Sequence, residues 1–261
     1  MPSRPPKEIS RIWDELTTFD AADTDAALVF LLAETSRLIG ADDGFWVGAV
    51  RMSHGIAGRR DLQHGWRGRA VRFLNPSAVQ LQTLPILVKE QDTPQAPPTS
   101  IAIAAAAGKF RAVRLRQIVD MRAFRRTRHH RIAYAAFGIE DRMWVSYPVN
   151  ADAESHFVFD RIGTRRQFTA RELAVAAALL RGLRWFHRKT LLNQGLLVAK
   201  TPLTPAQRQV LPLLLTDAPE KAIAAKLGQS FHTTHSHVQE IFRRYGVSGR
   251  AGLMAIWLKG W

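Results

Sequence analysis

Apolar and polar positions alternate along this chain with two periods, and the period changes from segment to segment. Leu28, Leu31, Leu32, Thr35 and Leu38 fall on one face of a helix that Asp23 or Thr24 caps and Gly40 ends. A strand-like apolar run follows at Phe45–Val50, and GWRGRAVRFL, within the Gly- and Arg-rich stretch 53–75, predicts a hairpin into another strand. TPQAPPTS at 93–100 reads as a loop, since adjacent prolines continue neither a helix nor a sheet interior. IAIAAAAG at 101–108 reads as a short helix capped by Ser100. RMWVSYPV at 142–149 and HFVFDRI at 156–162 alternate with period two across a polar connection, the pattern of an antiparallel hairpin. The longest helix is expected at 169–190: Thr169 and Glu172 form a capping box, and Leu173, Ala176, Leu180, Leu183 and Trp185 or Phe186 supply its stripe. Residues 1–10, polar and Pro-rich, read as a loose arm, and 191–202 as a linker.

The C-terminal part is helical throughout. Thr204 and Gln207 form a second capping box with Pro205 at the first helical position, and Pro212 predicts a bend or an early end. In EKAIAAKLGQSFHTTHSHVQEIFRRY (220–245), Ile223, Ala224 and Leu227 make one apolar face. Gly228 permits a left-handed end and Ser230 caps the next helix. Val238, Ile241, Phe242 and Tyr245 then recur on one face, while His232, Thr233, Ser236, His237 and Arg243 occupy the other. That polar face carries donors suited to phosphates and base edges.

These segments resemble the LuxR-type helix-turn-helix of bacterial transcription regulators. The resemblance runs from about Leu203 to Leu258, through LTPAQRQVL, EKAIAAKLG, HTTHSHVQEIFRRYGV and GRAGLMAIWL in order. It implies that Lys221 touches a phosphate and that the second helix of the motif enters the major groove. Thr233 and His237 stand where the family's T-V-K-x-H has Thr and His; His235 replaces its Lys, and Thr234 its buried Val. Arg243 and Arg244 are read as phosphate contacts or as a solvated helix terminus, where cations are favourable in any case. Glu240 accepts from a cytosine amino group or points to solvent. Because phosphates favour a protonated imidazole, DNA affinity mediated by His235 and His237 should rise as pH falls from 8 to 6. The last helix, Arg250–Lys259, dimerises the module in the family; Trp257 packed against the first helix is the alternative.

Charge sharpens the picture. The formal net charge is +15, which favours a polyanionic partner. Yet the basic maximum lies elsewhere, at 109–131, with nine Lys and Arg against one Asp. There, Phe110, Val113, Ile118, Met121 and Phe124 supply an apolar face between the arginines. This segment contacts flanking DNA, binds an anionic ligand or protein, or is a solvated face. Cysteine is absent, which excludes disulfides and thiolate chemistry. The sequence lacks G-x-S-x-G, phosphate-loop and H-E-x-x-H patterns, so an enzyme is not expected. His232, His235 and His237 do not share one face, and neither metal nor cofactor is expected. Asp141, Asp160 and His156 either cluster on the hairpin or are isolated polar residues on strand edges. Trp46 and Trp66 read as core.

The reading is therefore an α+β chain. An N-terminal domain (1–195) with an antiparallel sheet resembles GAF- or PAS-type sensors in its element order. A four-helix LuxR-type helix-turn-helix domain (196–261) follows. The resemblance implies a cytoplasmic, dimeric regulator of transcription that binds double-stranded DNA, contacts RNA polymerase and takes a small-molecule or protein input at its N-terminal domain. Lys221, His232, Thr233, His235, Ser236, His237, Arg243 and Arg244 are its expected DNA contacts. The alternative is a protein–protein adaptor using the helical module and 109–131.

Overall fold

The computed structural model describes residues 7–54, 57, 60–93, 96–163, 166–199 and 201–258. Parts of the expected N-terminal arm (1–6), the Pro-rich loop (94–95), the linker (200) and the last helix (259) lie outside them. The contacts within the chain group it into two compact units, 29–184 and 1–28 with 185–261.

In the first of these, five strands among the described residues form one antiparallel sheet in the order β2-β1-β5-β4-β3. They are β1 (Asp43–Arg51), β2 (Trp66–Phe73), β3 (Arg111–Arg114), β4 (Ile139–Asn150) and β5 (Ala153–Ile162). The expected hairpin is β4–β5, with Trp144 opposite Val158 and Arg142 opposite Asp160. One sheet face is a closed core: Trp46, Met143, Val145, Phe157 and Phe159 are completely buried. The Trp46 indole N–H donates to Ser155 Oγ at 2.7 Å. The opposite face carries Phe45, Val47, Trp144, His156 and Val158 and faces a cavity.

Helices α1 (Lys7–Thr17) and α2 (Thr24–Ile39) precede the sheet. Residues 7–10 are not a loose arm: they open α1, whose Ile9, Ile12 and Leu16 are buried at the helical spacing of 3 and 4. Helix α3 (Ala78–Gln91) had no counterpart in the periodicity, since Pro85 lies inside it and none of its residues is fully buried. A capping box, Ser77 with Gln80, starts it. Helix α4 runs from Pro98 to Ala105, with Pro97 at its cap. Ser100 is thus inside the helix rather than its cap, because prolines fit the first turn, where no N–H is needed. The basic segment folds as β3 followed by three short helices, α5 (Leu115–Ile118), α6 (Met121–Phe124) and α7 (Arg128–Ala133). The expected long helix is two, α8 (Ala170–Arg181) and α9 (Arg184–Asn193), interrupted at Gly182 and Leu183. Gly182 lacks the side chain that restricts the backbone, and a helix is easily ended there. The Thr169–Glu172 capping box is present.

The other unit is helical: α10 (Pro205–Leu214), α11 (Glu220–Leu227), α12 (Phe231–Tyr245) and α13 (Arg250–Leu258) follow α9. Their core joins Leu203, Val210, Leu211, Leu214, Ile223, Val238, Ile241 and Leu253. The helix does not stop at Pro212: the proline lies inside α10, which continues to Leu214. Trp257 packs against this core and lies over the Tyr245 ring, with centroids 5.4 Å apart. No helix among the described residues is long and apolar enough to cross a membrane.

Candidate nucleic-acid interface and sensor cavity

The turn between α11 and α12 follows from two residues. Gly228 ends α11 at φ +62°, and the Gln229 N–H bonds back to the Ala224 carbonyl at 3.0 Å. Ser230 Oγ then accepts the Thr233 N–H at 3.0 Å and caps α12. The buried side of α12 is Thr234, Val238, Ile241, Phe242 and Tyr245. With a hundred degrees or so per residue, the outward stripe runs through His232, Ser236, Gln239 and Arg243, all exposed. Thr233, also exposed, and His237, half-buried, flank it. Lys221 is exposed on the first turn of α11.

Five of the expected contact residues are engaged within the module. Thr233 Oγ1 lies 2.8 Å from Ser230 Oγ, and Ser236 Oγ donates to the His232 carbonyl at 3.0 Å. His235 Nδ1 lies 2.8 Å from Glu220 Oε2, which ties α12 to the start of α11. Arg243 makes a forked bond to Glu240, at 2.8 and 2.6 Å. Arg244 donates to the Thr201 carbonyl at 2.6 Å and to Thr201 Oγ1 at 3.0 Å. Phe231 was not among the expected residues. It is 50% exposed at the first turn of α12, and its ring stacks on His235 at 5.9 Å and 20°. Its signal was legible: an aromatic residue directly after the cap, one turn before a histidine, on the side away from the core stripe.

The second site is a cavity of about 200 Å³ within 29–184, bounded by the open sheet face, α3, α4 and α7. Phe45, Val71, Phe73, Leu84, Leu87, Ile139 and Trp144 give it apolar walls. Gly68 lies on the wall without a side chain, and its N–H donates to Gln91 Oε1 at 3.0 Å. Trp66 is buried in a small core with Ala49 and Ala104, as expected, and its ring also lines this wall.

The charged groups and histidines of the wall are paired. Arg142 donates to both Asp160 carboxylate oxygens, at 2.5 and 2.7 Å, and its guanidinium lies 4.4 Å from the Tyr134 ring centroid and 5.0 Å from that of Phe45. Burial is the largest influence and disfavours the Arg142 cation, but Asp160 and Tyr134 together outweigh it and the net shift is upward. Glu154 accepts from Arg111 at 3.0 and 2.8 Å and from the Gly108 N–H at 2.7 Å. Burial raises the Glu154 pKa and these partners more than reverse it. His156 Nδ1 lies 2.8 Å from Ser146 Oγ, and burial pushes its pKa down to about 4 despite the nearby Glu154. His129 Nδ1 meets Glu90 of α3 at 2.9 Å. Asp160, His156 and Asp141 are therefore not isolated residues on strand edges. All three are buried on interior strands, and β4–β5 pairing sets Asp160 against Arg142.

Two helices crossing through a left-handed glycine turn, the second sealed on one side and polar on the other, define a helix-turn-helix module. Residues 201–256 match the model of the luxR family of bacterial regulatory proteins, so the module is a LuxR-family helix-turn-helix. The N-terminal part has the fold of the LBD domain of VqsR from Pseudomonas aeruginosa: TM-score 0.50 at 11% identity, covering 71% of this chain and 98% of that one. SdiA in complex with octanoyl-rac-glycerol aligns over 97% of this chain and 95% of its own, with TM-score 0.44 and 12% identity. Escherichia coli SdiA in the space group P6522 aligns over 95% of this chain and 94% of its own, with TM-score 0.44 and 14% identity. No curated protein matches the chain.

Proposed function

We propose that this chain is a ligand-controlled transcription regulator, with DNA recognition in 196–261 and sensing in 1–195. One observation carries the DNA half: α12 seals Thr234, Val238 and Ile241 in a core and leaves His232, Thr233 and Ser236 exposed on the helix that follows the turn. In helix-turn-helix proteins the start of that helix meets base edges in the major groove, as a dimer on two half-sites. Lys221, at a helix N-terminus, is suited to a phosphate. His232, Thr233, Ser236 and His237 are the base-facing set. His235, bonded to Glu220, has Nε2 left for DNA, and Arg243 reaches a phosphate by leaving Glu240. We assign Arg244 to holding the module's entry peptide. Regulation in place of catalysis, action in the cytoplasm and contact with RNA polymerase belong to the same proposal.

The cavity supports the sensing half. Its walls are apolar and its charged groups already have counter-charges, which suits an uncharged amphipathic small molecule over an ion.

Selection of bound sites from a random duplex pool tests the DNA half. A shared, two-fold-related motif is the expected result. His232→Ala or His237→Ala should then weaken that site by about 1–3 kcal/mol and relax its sequence at one position. A pool that never enriches, at low salt and with the cavity ligand supplied from cell extract, removes the reading in favour of an adaptor.

A further inference from the structure

The cations of 109–131 that follow Lys109 divide into two groups. Arg111 is consumed by Glu154, Arg114 donates to the Phe168 carbonyl at 2.9 Å, and Arg128 pairs with Glu90 at 2.8 Å. Arg116, Arg122, Arg125, Arg126 and Arg131 are all exposed, and no hydrogen bond or ion pair engages their side chains among the described residues. Other arginines of the same unit are held by carboxylates, Arg67 by Asp61 and Asp92 and Arg161 by Glu172, whereas Arg60 and Arg171 are exposed singly.

The free arginines are not on a loose tail. Asp120 caps α6 by accepting the Arg122 and Ala123 N–H groups, and Thr127 caps α7 through the His130 N–H. Beneath them, Leu115 and Phe124 are buried, and Ile118, Val119 and Met121 pack on the same core.

We propose that Arg116, Arg122, Arg125, Arg126 and Arg131 form a sequence-independent surface for the phosphates of duplex DNA, separate from α12. The inference rests on the DNA-binding reading above. Guanidinium forks match phosphate oxygens, and a fixed like-charged cluster is favourable when a polyanion neutralises it. A protein partner fits less well: interfaces are anchored by buried aromatic and aliphatic side chains, and no large apolar side chain of this stretch is exposed. The surface supplies affinity and salt dependence, and α12 supplies the choice of sequence.

The experiment measures Kd of the full chain by fluorescence anisotropy between 50 and 300 mM salt, on a pool-selected duplex and an unrelated one. Arg122→Gln/Arg125→Gln/Arg126→Gln is compared with a variant in which three other exposed cations are neutralised, Lys7→Gln/Arg60→Gln/Arg171→Gln. The proposal expects the first triple to flatten the slope of log Kd against log salt by about 2–3, at roughly 0.9 for each phosphate no longer neutralised. Both duplexes should weaken by the same factor, so that their ratio is unchanged. The control should keep the wild-type slope. Equal slopes for both triples overturn the proposal while leaving DNA binding intact, and so does an arginine-dependent preference for poly-glutamate over duplex. A wild-type chain that binds no duplex overturns this proposal and the reading beneath it together. Matching thermal melts of the three proteins establish that each is folded.

Discussion

The sheet of 29–184 and the second helix of the helix-turn-helix, α12, use the same residue types to opposite ends. On the sheet, Arg142, Asp160, Glu154 and His156 are buried, and each is bound to a partner across strands. On α12, His232 and Ser236 are exposed, and the bonds of Ser236 to the His232 carbonyl and of Arg243 to Glu240 are local ones, within a turn of the same helix. Buried charge is tolerated only with its counterpart in place, so the sheet's polar groups are interdependent. Exposed donors are nearly independent of one another and of the fold. Changes on the sheet should therefore act on stability, and changes on α12 on binding.

The sharpest separation comes from the Arg142–Asp160 pair. Asp160→Ala leaves a buried guanidinium unpaired and should cost about 3–5 kcal/mol in denaturant unfolding. Arg142→Met with Asp160→Leu together should recover most of that. If the single and double variants are equally unstable, the interdependence is wrong.

His156 gives a smaller and pH-defined effect. Its folded pKa of about 4 lies below the usual 6.5, so between those values the unfolded chain binds a proton that the folded chain refuses. Stability is then fully present above about pH 6.5 and falls as pH drops toward 4, by up to roughly 3 kcal/mol. Unfolding curves of wild type and His156→Gln across this window check the sign: the variant should lose the part of the slope due to this residue.

The smallest effect belongs to Phe231. Its exposed ring, braced on His235, suits the methyl group of a thymine. Replacing thymine by uracil in the selected site should weaken wild type by a few-fold at one position and leave Phe231→Ala indifferent there. Its melting curve should match wild type within about 0.5 kcal/mol.

What could be read from the sequence follows the same division. The helix-turn-helix is written in local signals: Thr204 with Gln207, Gly228 and Ser230 each act within a few residues, and all four take the expected roles. The hairpin β4–β5 was legible from alternation and a polar turn. The cavity was not, because its wall exists only once β1 lies between β2 and β5 and Arg142 meets Asp160. Period-two patterning says that Asp160 and His156 share a face but not that the face is covered. Helix α3 escaped for the opposite reason. It roofs a space instead of packing into a core, so its apolar residues follow no stripe, and Val79, Leu81 and Ile86 remain exposed. Ser77 and Gln80 were the only signal of its start.

Arg244 donates to the carbonyl of Thr201, in the peptide by which the chain enters the module, and the neighbouring Tyr245 hydroxyl donates to the Leu192 carbonyl. The far end of α12 is thus moored to the tether upstream of it. Any turn of α12 about its own axis would have to break these bonds, so the direction in which its outer stripe points is fixed from behind as well as by the core.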